Sequence, residues 1–193
     1  MKLILATNNA HKVREIKQIL QPYFQEIITL QDAGIQHDTI EDGDTFYKNA
    51  LKKAREIAEI SGLPALADDS GICVDALGGA PGVFSARYAA EDGQNASDAA
   101  NRRLLLKNME GMTDRSAYFA CAALLFWPDG KTIAAEGRFY GEIGYEEKGE
   151  NGFGYDSVFY VPEYNCTSAE MSPEQKNRLS HRGKALRALA DKL

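Results

Sequence analysis

Two adjacent carboxylates, Asp68 and Asp69, follow a short apolar run and precede a glycine-rich stretch in the segment LADDSGICVDALGGAPGVFSARYA, residues 66–89. Neighbouring carboxylates repel each other and resist burial, so this pair requires either open water or a cation. One interpretation is a turn, because Asp favours turns through its side-chain hydrogen bonds. The other is a Mg²⁺ site, because Mg²⁺ usually takes one or two carboxylates and completes its shell with water and substrate phosphates. Glu41 and Asp42, in an earlier polar loop, could supply a further carboxylate.

The segment ATNNAHK, residues 6–12, lies between the first predicted strand and the first predicted helix. The backbone N–H groups of a helix N-terminus, with Lys12 in the first turn, would form an anion site. The alternative is a plain connecting loop with a surface lysine. Neither GxxxxGK[ST] nor a helix-opening GxGxxG occurs in the sequence, so the standard nucleotide motifs are absent.

Two later segments carry weaker signals. NGFGYDSVF, residues 151–159, places two aromatic residues and Asp156 between glycines and a predicted strand. It is typical of a β-turn, but it could also form a rim on which a nucleobase stacks. His181 and Arg182 are either a surface pair or donors of hydrogen bonds to a carbonyl group. The GGAPG stretch, residues 78–82, favours a tight turn.

The elements that must position these groups alternate between strand and helix in the first half of the chain. Apolar runs predict strands at residues 2–6 and 26–30, and helical spacing predicts helices over 13–20 and from Thr45, with Asp44 or Thr45 as cap, to Gly62. The ALA run predicts a third strand that ends at the acidic pair, and GICVDAL predicts a separate, short fourth strand. A further helix is predicted over about 97–109.

The second half of the chain favours antiparallel strands. Pro128, Asp129 and Gly130 separate two strand-like runs and predict a hairpin, and SVFYV predicts another strand. Ser172 to Gln175 form a capping-box pattern, and the final helix should carry Leu186, Leu189 and Leu193 on one face. The sequence therefore predicts a mixed α/β fold with both parallel and antiparallel pairing.

Composition narrows the class of protein. A chain of 193 residues with 44% hydrophobic residues is long enough for one domain, over residues 1–193. Its formal charge of −6 disfavours a broad nucleic-acid interface. No stretch approaches the length that spans a membrane, and three widely spaced cysteines without a CxxC pair are typical of reduced thiols. We therefore expect a cytoplasmic protein.

Taken in order, five segments resemble the family of inosine and xanthosine triphosphate pyrophosphatases: ATNNAHKVREI, TFYKNALKKA, LADDSGICVDALGGAPGVFSARYA, FGYDSVF and SHRGKAL. The resemblance covers nearly the whole chain, and the long central segment is highly specific. Two positions depart from the family pattern. Asn8 stands where a glycine is usual, although Asn tolerates left-handed backbone geometry better than most residues. Ser157 replaces the proline of FGYDP, which alters a loop without removing a chemical group.

The resemblance implies a mixed α/β fold with a long curved central sheet flanked by helices, and two lobes with the active-site cleft between them. It also implies a homodimer that needs Mg²⁺ and cleaves a nucleoside triphosphate to monophosphate and pyrophosphate. The partners would be the nucleotide substrate and a second copy of the chain, with no nucleic acid and no membrane.

Site residues follow from the resemblance by position. The predicted catalytic residues are Asp69 as the general base, Lys53 facing the triphosphate, and Asp68 close by. Glu41 and Asp69 would hold the metal. The predicted phosphate-binding residues are Thr7, Asn8, Asn9, Ala10, His11 and Lys12. The predicted remainder of the nucleotide site is Ser70, Phe153, Gly154, Tyr155, Asp156, Lys176, His181 and Arg182.

The expected activity is hydrolysis of ITP, dITP and XTP, which removes deaminated purines from the nucleotide pool. Hydrogen-bond donors would favour the carbonyl at the purine 6-position over the amino group of adenine. Two alternatives remain: a related pyrophosphatase for pyrimidine or modified nucleotides, and a sensor that binds purine nucleotides without turnover.

Overall fold

The computed structural model describes residues 1–90 and 94–193 and shows a mixed α/β protein with one seven-stranded sheet. The strand order is β2-β1-β3-β4-β5-β6-β7. The strands are β1 Lys2–Leu5, β2 Glu26–Thr29, β3 Ala65–Val74, β4 Ser116–Phe126, β5 Thr132–Ile143, β6 Phe159–Val161 and β7 Cys166–Thr167. β1 pairs in parallel with β2 and β3, whereas β6 pairs antiparallel with β5 and β7. The predicted fold class and mixed pairing are confirmed.

Helix ends follow the predicted capping residues. The helices are α1 Ala10–Leu20, α2 Phe46–Ser61, α3 Asp98–Asn108, α4 Pro173–Leu179 and α5 His181–Ala190. Thr45 caps α2 by accepting from the amide of Lys48, and Gly62 ends it in the left-handed conformation at φ 66°. Ser172 caps α4 by accepting from the amide of Gln175, and Pro173 takes the first helical position.

The chain forms two compact units. The first unit comprises Met1–Asp69, Cys121–Gly137 and His181–Leu193, and the second comprises Ser70–Ala120 and Arg138–Ser180. In the first unit, helices cover both faces of the sheet. Leu5 and Leu66 pack in a core that includes residues of α1 and α5. Ile4 and Ala67 pack in a second core, which includes residues of α2. This alternation follows from the two-residue period of a strand.

The second unit has its own core. Ile72 and Val74 of β3 pack there with Leu105 of α3 and with aromatic residues of the later strands. The Phe159 ring lies 4.6 Å from the Phe119 ring and 5.3 Å from the Phe139 ring, between centroids. Such tilted aromatic contacts stabilise a core beyond the area that they bury.

Two sequence expectations are wrong. Ala65–Val74 is one continuous ten-residue strand, so Asp68 and Asp69 lie in the middle of β3 rather than at a strand end. The carboxylates do not interrupt the strand because each one is paired with side chains of helices on its own face of the sheet, as described below. Leu193 lies beyond the end of α5 and is 48% exposed, whereas Leu186 and Leu189 are buried as predicted. Among the described residues, no helix combines the length and apolarity needed to span a membrane.

Candidate active site

The strand geometry answers how two adjacent carboxylates can both be buried. Successive side chains of a strand point to opposite faces of the sheet. Asp68 therefore shares the face of Leu66, covered by α1 and α5, and Asp69 shares the face of Ala67, covered by α2. The two carboxylates belong to separate clusters, and each cluster supplies its own cations.

The Asp68 cluster is a buried network of four charges. Lys12 of α1 places Nζ 3.2 Å from Asp68 Oδ2, and Arg182 of α5 donates from Nε to the same oxygen at 2.9 Å. Arg182 also donates from Nη1 to Glu15 of α1 at 2.5 Å. The side chains of Asp68 and Arg182 are 0% and 2% exposed. The network therefore ties β3, α1 and α5 together.

Charge compensation keeps this network ionised. Burial raises the pKa of the Asp68 carboxyl, but Lys12 and Arg182 outweigh burial and hold that pKa well below its usual range. Burial lowers the pKa of Arg182, and the charges of Asp68 and Glu15 raise it above its usual value. The Cys121 thiol lies 3.9 Å from Asp68 Oδ2, and burial raises its pKa, so it stays a neutral thiol.

Acid should weaken the fold through Asp68. Its folded-state pKa is depressed below the ordinary value of 3.8, so its stabilising contribution is complete above that value. The contribution is lost as the pH falls from 3.8 through the folded-state pKa. Urea unfolding between pH 6 and the lowest pH at which the protein folds should show a steeper loss for the native protein than for Asp68→Asn. Parallel pH profiles of the two proteins would contradict this prediction.

The Asp69 cluster lies on the other face and is built by α2. Asn49 Nδ2 donates to Asp69 Oδ2 at 3.0 Å. Lys53 Nζ lies 2.5 Å from Glu41 Oε1 and 3.6 Å from Asp69 Oδ1. Asn49 and Lys53 are one helical turn apart, which places both on the face of α2 that meets β3. The cluster thus brings together three residues that the sequence singled out separately: Glu41, Lys53 and Asp69.

This cluster has more negative than positive charge. Burial raises the pKa of the Asp69 carboxyl, Lys53 opposes that effect, and the nearby Glu41 adds to it, so the pKa lies above its ordinary value. Burial lowers the pKa of Lys53, but Asp69 and Glu41 outweigh it and keep the ammonium charged. Two carboxylates that share one ammonium retain the oxygen ligands and the surplus charge that suit a hard divalent cation.

The donor set fits Mg²⁺ bound together with a phosphate rather than a cage made by protein alone. Among the described residues, no group of three or more His, Cys, Asp or Glu side chains is arranged to hold a metal ion. Glu41 and Asp69 supply two carboxylates, and Mg²⁺ usually completes its octahedral shell with water and substrate phosphates. The residues present are therefore compatible with this cation.

The predicted phosphate loop precedes α1. Asn9 caps the helix, because its Oδ1 accepts from the amides of His11 and Lys12 at 2.9 and 3.2 Å. Thr7 Oγ1 accepts from the amide of Asn9 at 3.2 Å, which fixes the loop from within. Asn8 is exposed, and among the described non-glycine residues only Asn165 has positive φ. The change from glycine to Asn8 therefore requires no left-handed backbone here, contrary to the sequence argument.

The FGYD loop belongs to the second unit, and its Asp156 is an internal anchor. Asp156 is buried and accepts from the amide of Phe153 at 2.8 Å, from Lys176 Nζ at 2.6 Å and from Ser168 Oγ at 3.0 Å. Gly152 has φ 82°, and an added Cβ would collide with the Asp156 carboxylate. These contacts fix the loop from inside, with Asp156 as the shared acceptor.

The rest of the FGYD loop is held by its neighbours in the second unit. Gly154 is bound at both backbone groups, since its amide donates to Asp98 at 2.7 Å and its carbonyl accepts from Arg102 at 2.8 Å. Tyr155 donates its hydroxyl to the carbonyl of Ser85 at 2.7 Å. The Lys176 ammonium lies 5.2 Å from the centre of the Phe153 ring. Phe153 is therefore the aromatic ring that this loop holds beside a cation.

The remaining predicted residues have defined positions. Ser70 follows Asp69 on β3 and is half-buried, Ala10 begins α1, and His181 begins α5 and is buried. Arg182 donates from Nε to Asp68 and from Nη1 to Glu15. Sequence reasoning missed Asn49 and Glu15. Their spacing of one helical turn from Lys53 and Lys12 was the available signal.

Comparison with known proteins places the chain in a family. A family model described as the Ham1 family matches residues 3–192. The chain belongs to the Ham1 family. Ham1-family relatives named dITP/XTP pyrophosphatase include one from Clostridium perfringens, 48% identical over 100% of this chain and 97% of the relative. Another, from Haemophilus influenzae, is 48% identical over 100% of this chain and 98% of the relative.

Solved Ham1 structures agree with this assignment. A HAM1 protein from Coxiella burnetii is 42% identical with a TM-score of 0.89, and the match covers 100% of this chain and 98% of that one. The Ham1 protein of Staphylococcus aureus is 40% identical with a TM-score of 0.87, covering 100% and 97%. The resemblance inferred from the five sequence segments is thereby confirmed for this Ham1-family chain.

Proposed function

We propose that this Ham1-family protein hydrolyses dITP, ITP and XTP to the corresponding monophosphate and pyrophosphate in the presence of Mg²⁺. The relatives named dITP/XTP pyrophosphatase match essentially the full chain and support this activity. The observation that carries the proposal is the Lys53 ammonium between the Glu41 and Asp69 carboxylates, a cluster of fixed charge on one side of β3. Such a cluster suits phosphoryl chemistry, in which positioning and electrostatic stabilisation dominate.

The chain's own residues would bind and orient the triphosphate. Lys12 lies beside Asp68 and Lys53 lies beside Asp69, and Thr7 and Asn9 offer a hydroxyl and a side-chain amide group in the loop before α1. Lys53 would neutralise negative charge that develops as the bond between the α- and β-phosphates breaks. Lys12 is already held by Asp68, so its ammonium is fixed before substrate arrives.

Asp69 would act as the general base. A water molecule attacks the α-phosphorus, Asp69 accepts its proton, and pyrophosphate leaves with the electrons of the broken bond. Burial and Glu41 raise the pKa of Asp69 in the metal-free protein, and a bound Mg²⁺ would lower it, so the two effects together would set its strength as a base. Asn49 holds Oδ2 in place, which leaves Oδ1 directed toward Lys53.

Glu41 and Asp69 would hold the Mg²⁺ ion. When bound, Mg²⁺ supplies charge neutralisation at the phosphate oxygens and lowers the pKa of bound water. Glu41 contributes from the loop before α2 and Asp69 from β3, so the ion requires that the loop and the strand keep their relative position. The surplus negative charge of the pair is consistent with this role.

Base selection would rest on donors to the purine 6-carbonyl and on aromatic stacking. His181 and Arg182 are proposed donors that would favour hypoxanthine and xanthine. Adenine would leave these donors without an acceptor. In the second unit, the Phe153 ring beside Lys176 is the proposed stacking surface. A homodimer, a single domain over residues 1–193 and a cytoplasmic location remain predictions from the sequence.

The experiment that tests this function is a product-resolved assay over a nucleotide panel. We expect dITP and XTP to yield pyrophosphate as the first product, much faster than ATP or the pyrimidine triphosphates. Chelation of divalent cations should abolish turnover, and added Mg²⁺ should restore it. Orthophosphate as first product would contradict the pyrophosphatase assignment. Faster hydrolysis of a pyrimidine nucleotide would support the related-enzyme alternative, and binding without turnover would support the sensor.

A further inference from the structure

Residues 37–43, which carry Glu41, run along one face of α2 in the antiparallel direction. His37 and Thr39 contact Glu56, Glu41 contacts Lys53, Asp42 contacts Lys52, and the amide of Gly43 donates to Asn49. The helix residues follow at spacings of three or four, so they form one stripe of α2. This segment contains no helix or strand of its own. Its conformation therefore depends on this stripe.

The contacts of the stripe differ in strength. Asp42 and Lys52 form an ion pair at 2.8 Å whose Asp42 side chain is 68% exposed, and such surface pairs contribute little. Asn49 is fully buried and accepts from the amide of Gly43 at 2.8 Å, which fixes one end of the segment. At the other end, Glu56 receives two side chains of the segment, those of His37 and Thr39.

Glu56 is an ionised acceptor with two donors. Its Oε2 lies 2.7 Å from His37 Nε2 and accepts from Thr39 Oγ1 at 2.6 Å. Because a carboxylate only accepts, His37 Nε2 must carry the proton in this contact. Burial raises the pKa of Glu56, but the hydrogen bonds from His37 and Thr39 outweigh it and lower that pKa. Hydrogen bonds to a charged acceptor are stronger than neutral ones.

We propose that Glu56 is a positioning residue for Glu41: through His37 and Thr39 it fixes one end of residues 37–43, and Asn49 fixes the other. Glu41 then lies between two fixed ends of the segment and stays beside Lys53. Its loop therefore does not have to become ordered each time a cation binds. This inference rests on the proposed Mg²⁺-dependent function. Removing an interaction that positions a metal-ligating residue typically weakens metal affinity by about tenfold or more.

The test compares Glu56→Ala with Glu59→Ala. Glu59 is an exposed residue of the same helix, so it is a control of the same type. Hydrogen–deuterium exchange should become faster in residues 37–43 of Glu56→Ala and stay native in Glu59→Ala. Mn²⁺ binding, followed by the loss of its free spin-resonance signal, should weaken about tenfold in Glu56→Ala only. Glu56→Gln keeps an acceptor oxygen and should recover part of both effects.

The same samples separate the possible outcomes. In steady-state assays with dITP, Glu56→Ala should raise the half-saturating Mg²⁺ concentration more than it lowers kcat at saturating Mg²⁺. Faster hydrogen–deuterium exchange in Glu56→Ala with unchanged Mn²⁺ affinity would mean that Glu56 has a purely structural role, and it would overturn the inference. Unchanged exchange in residues 37–43 would overturn it as well. A native protein that hydrolyses none of the nucleotides would refute the proposed function itself, which the nucleotide panel detects independently of any Glu56 variant.

Discussion

Asp69→Asn should lose turnover by roughly 100-fold to 10,000-fold, the range expected when a general base is removed. The substitution keeps the size of the side chain and an oxygen for the Asn49 hydrogen bond, but it removes the basic carboxylate and a proposed metal ligand. The loss should therefore appear in kcat far more than in the binding of nucleotide. Steady-state kinetics with dITP, together with equilibrium nucleotide binding in the absence of metal, separates the two effects.

A matched control for this substitution is Asp129→Asn. Asp129 lies in the exposed turn between β4 and β5 and accepts from the amide of Lys131, a contact that Asn can also make. This variant should keep native kinetics. A comparable loss of kcat in Asp129→Asn, or native turnover in Asp69→Asn, would contradict the assignment of Asp69 as the base.

Asp68→Ala should lower the free energy of unfolding by about 3–5 kcal/mol, because it leaves buried cations without their partner. Arg182 is 2% exposed and would lose one of its two described carboxylate partners, and Lys12 would lose the contact at 3.2 Å. Urea unfolding followed by circular dichroism measures the loss. Nucleotide binding should weaken as well, because Asp68 holds Lys12 and Arg182, which are proposed to contact the substrate.

Asp68→Asn makes this prediction testable even if the alanine variant does not fold. The amide oxygen of Asn can still accept from Arg182 Nε, so the loss should be smaller than in Asp68→Ala. Asp129→Ala, in the exposed turn, should change the free energy of unfolding little. If Asp68→Ala unfolded at the same urea concentration as the native protein, the buried network would not contribute to stability as its geometry indicates.

The sequence predicted the helix caps better than it predicted β3, the strand that contains Asp68 and Asp69. Thr45 and Ser172 act as helix caps as expected, because capping depends on residues close in the chain. The acidic pair was expected to end a strand, since two carboxylates seemed incompatible with a buried sheet interior. That expectation failed because compensation comes from distant residues: Arg182 reaches Asp68 from 114 positions away. Local patterns contain no information about such partners.

The site residues also divide into those that the sequence predicted and those that it did not. Glu41, Lys53 and Asp69 were named from the resemblance, and the structure brings them into one cluster. Why Asp68 is tolerated beside Asp69 could not be inferred from the sequence, because the answer depends on which helix covers each sheet face. The role of Glu56 could not be predicted either, because its partners His37 and Thr39 lie in a loop without periodicity.

The proposed mechanism requires that Glu41 and Asp69 bind one divalent cation that also contacts the triphosphate of a purine nucleotide. A crystal structure of the native protein with Mg²⁺ and a non-hydrolysable α,β-methylene analogue of ITP tests it most directly. We expect Mg²⁺ density bonded to Glu41, Asp69 and phosphate oxygens, with the Lys53 ammonium beside the triphosphate and Asp68 still paired with Arg182. A triphosphate bound away from Asp69, or a cation held by Asp68 in place of Arg182, would contradict it.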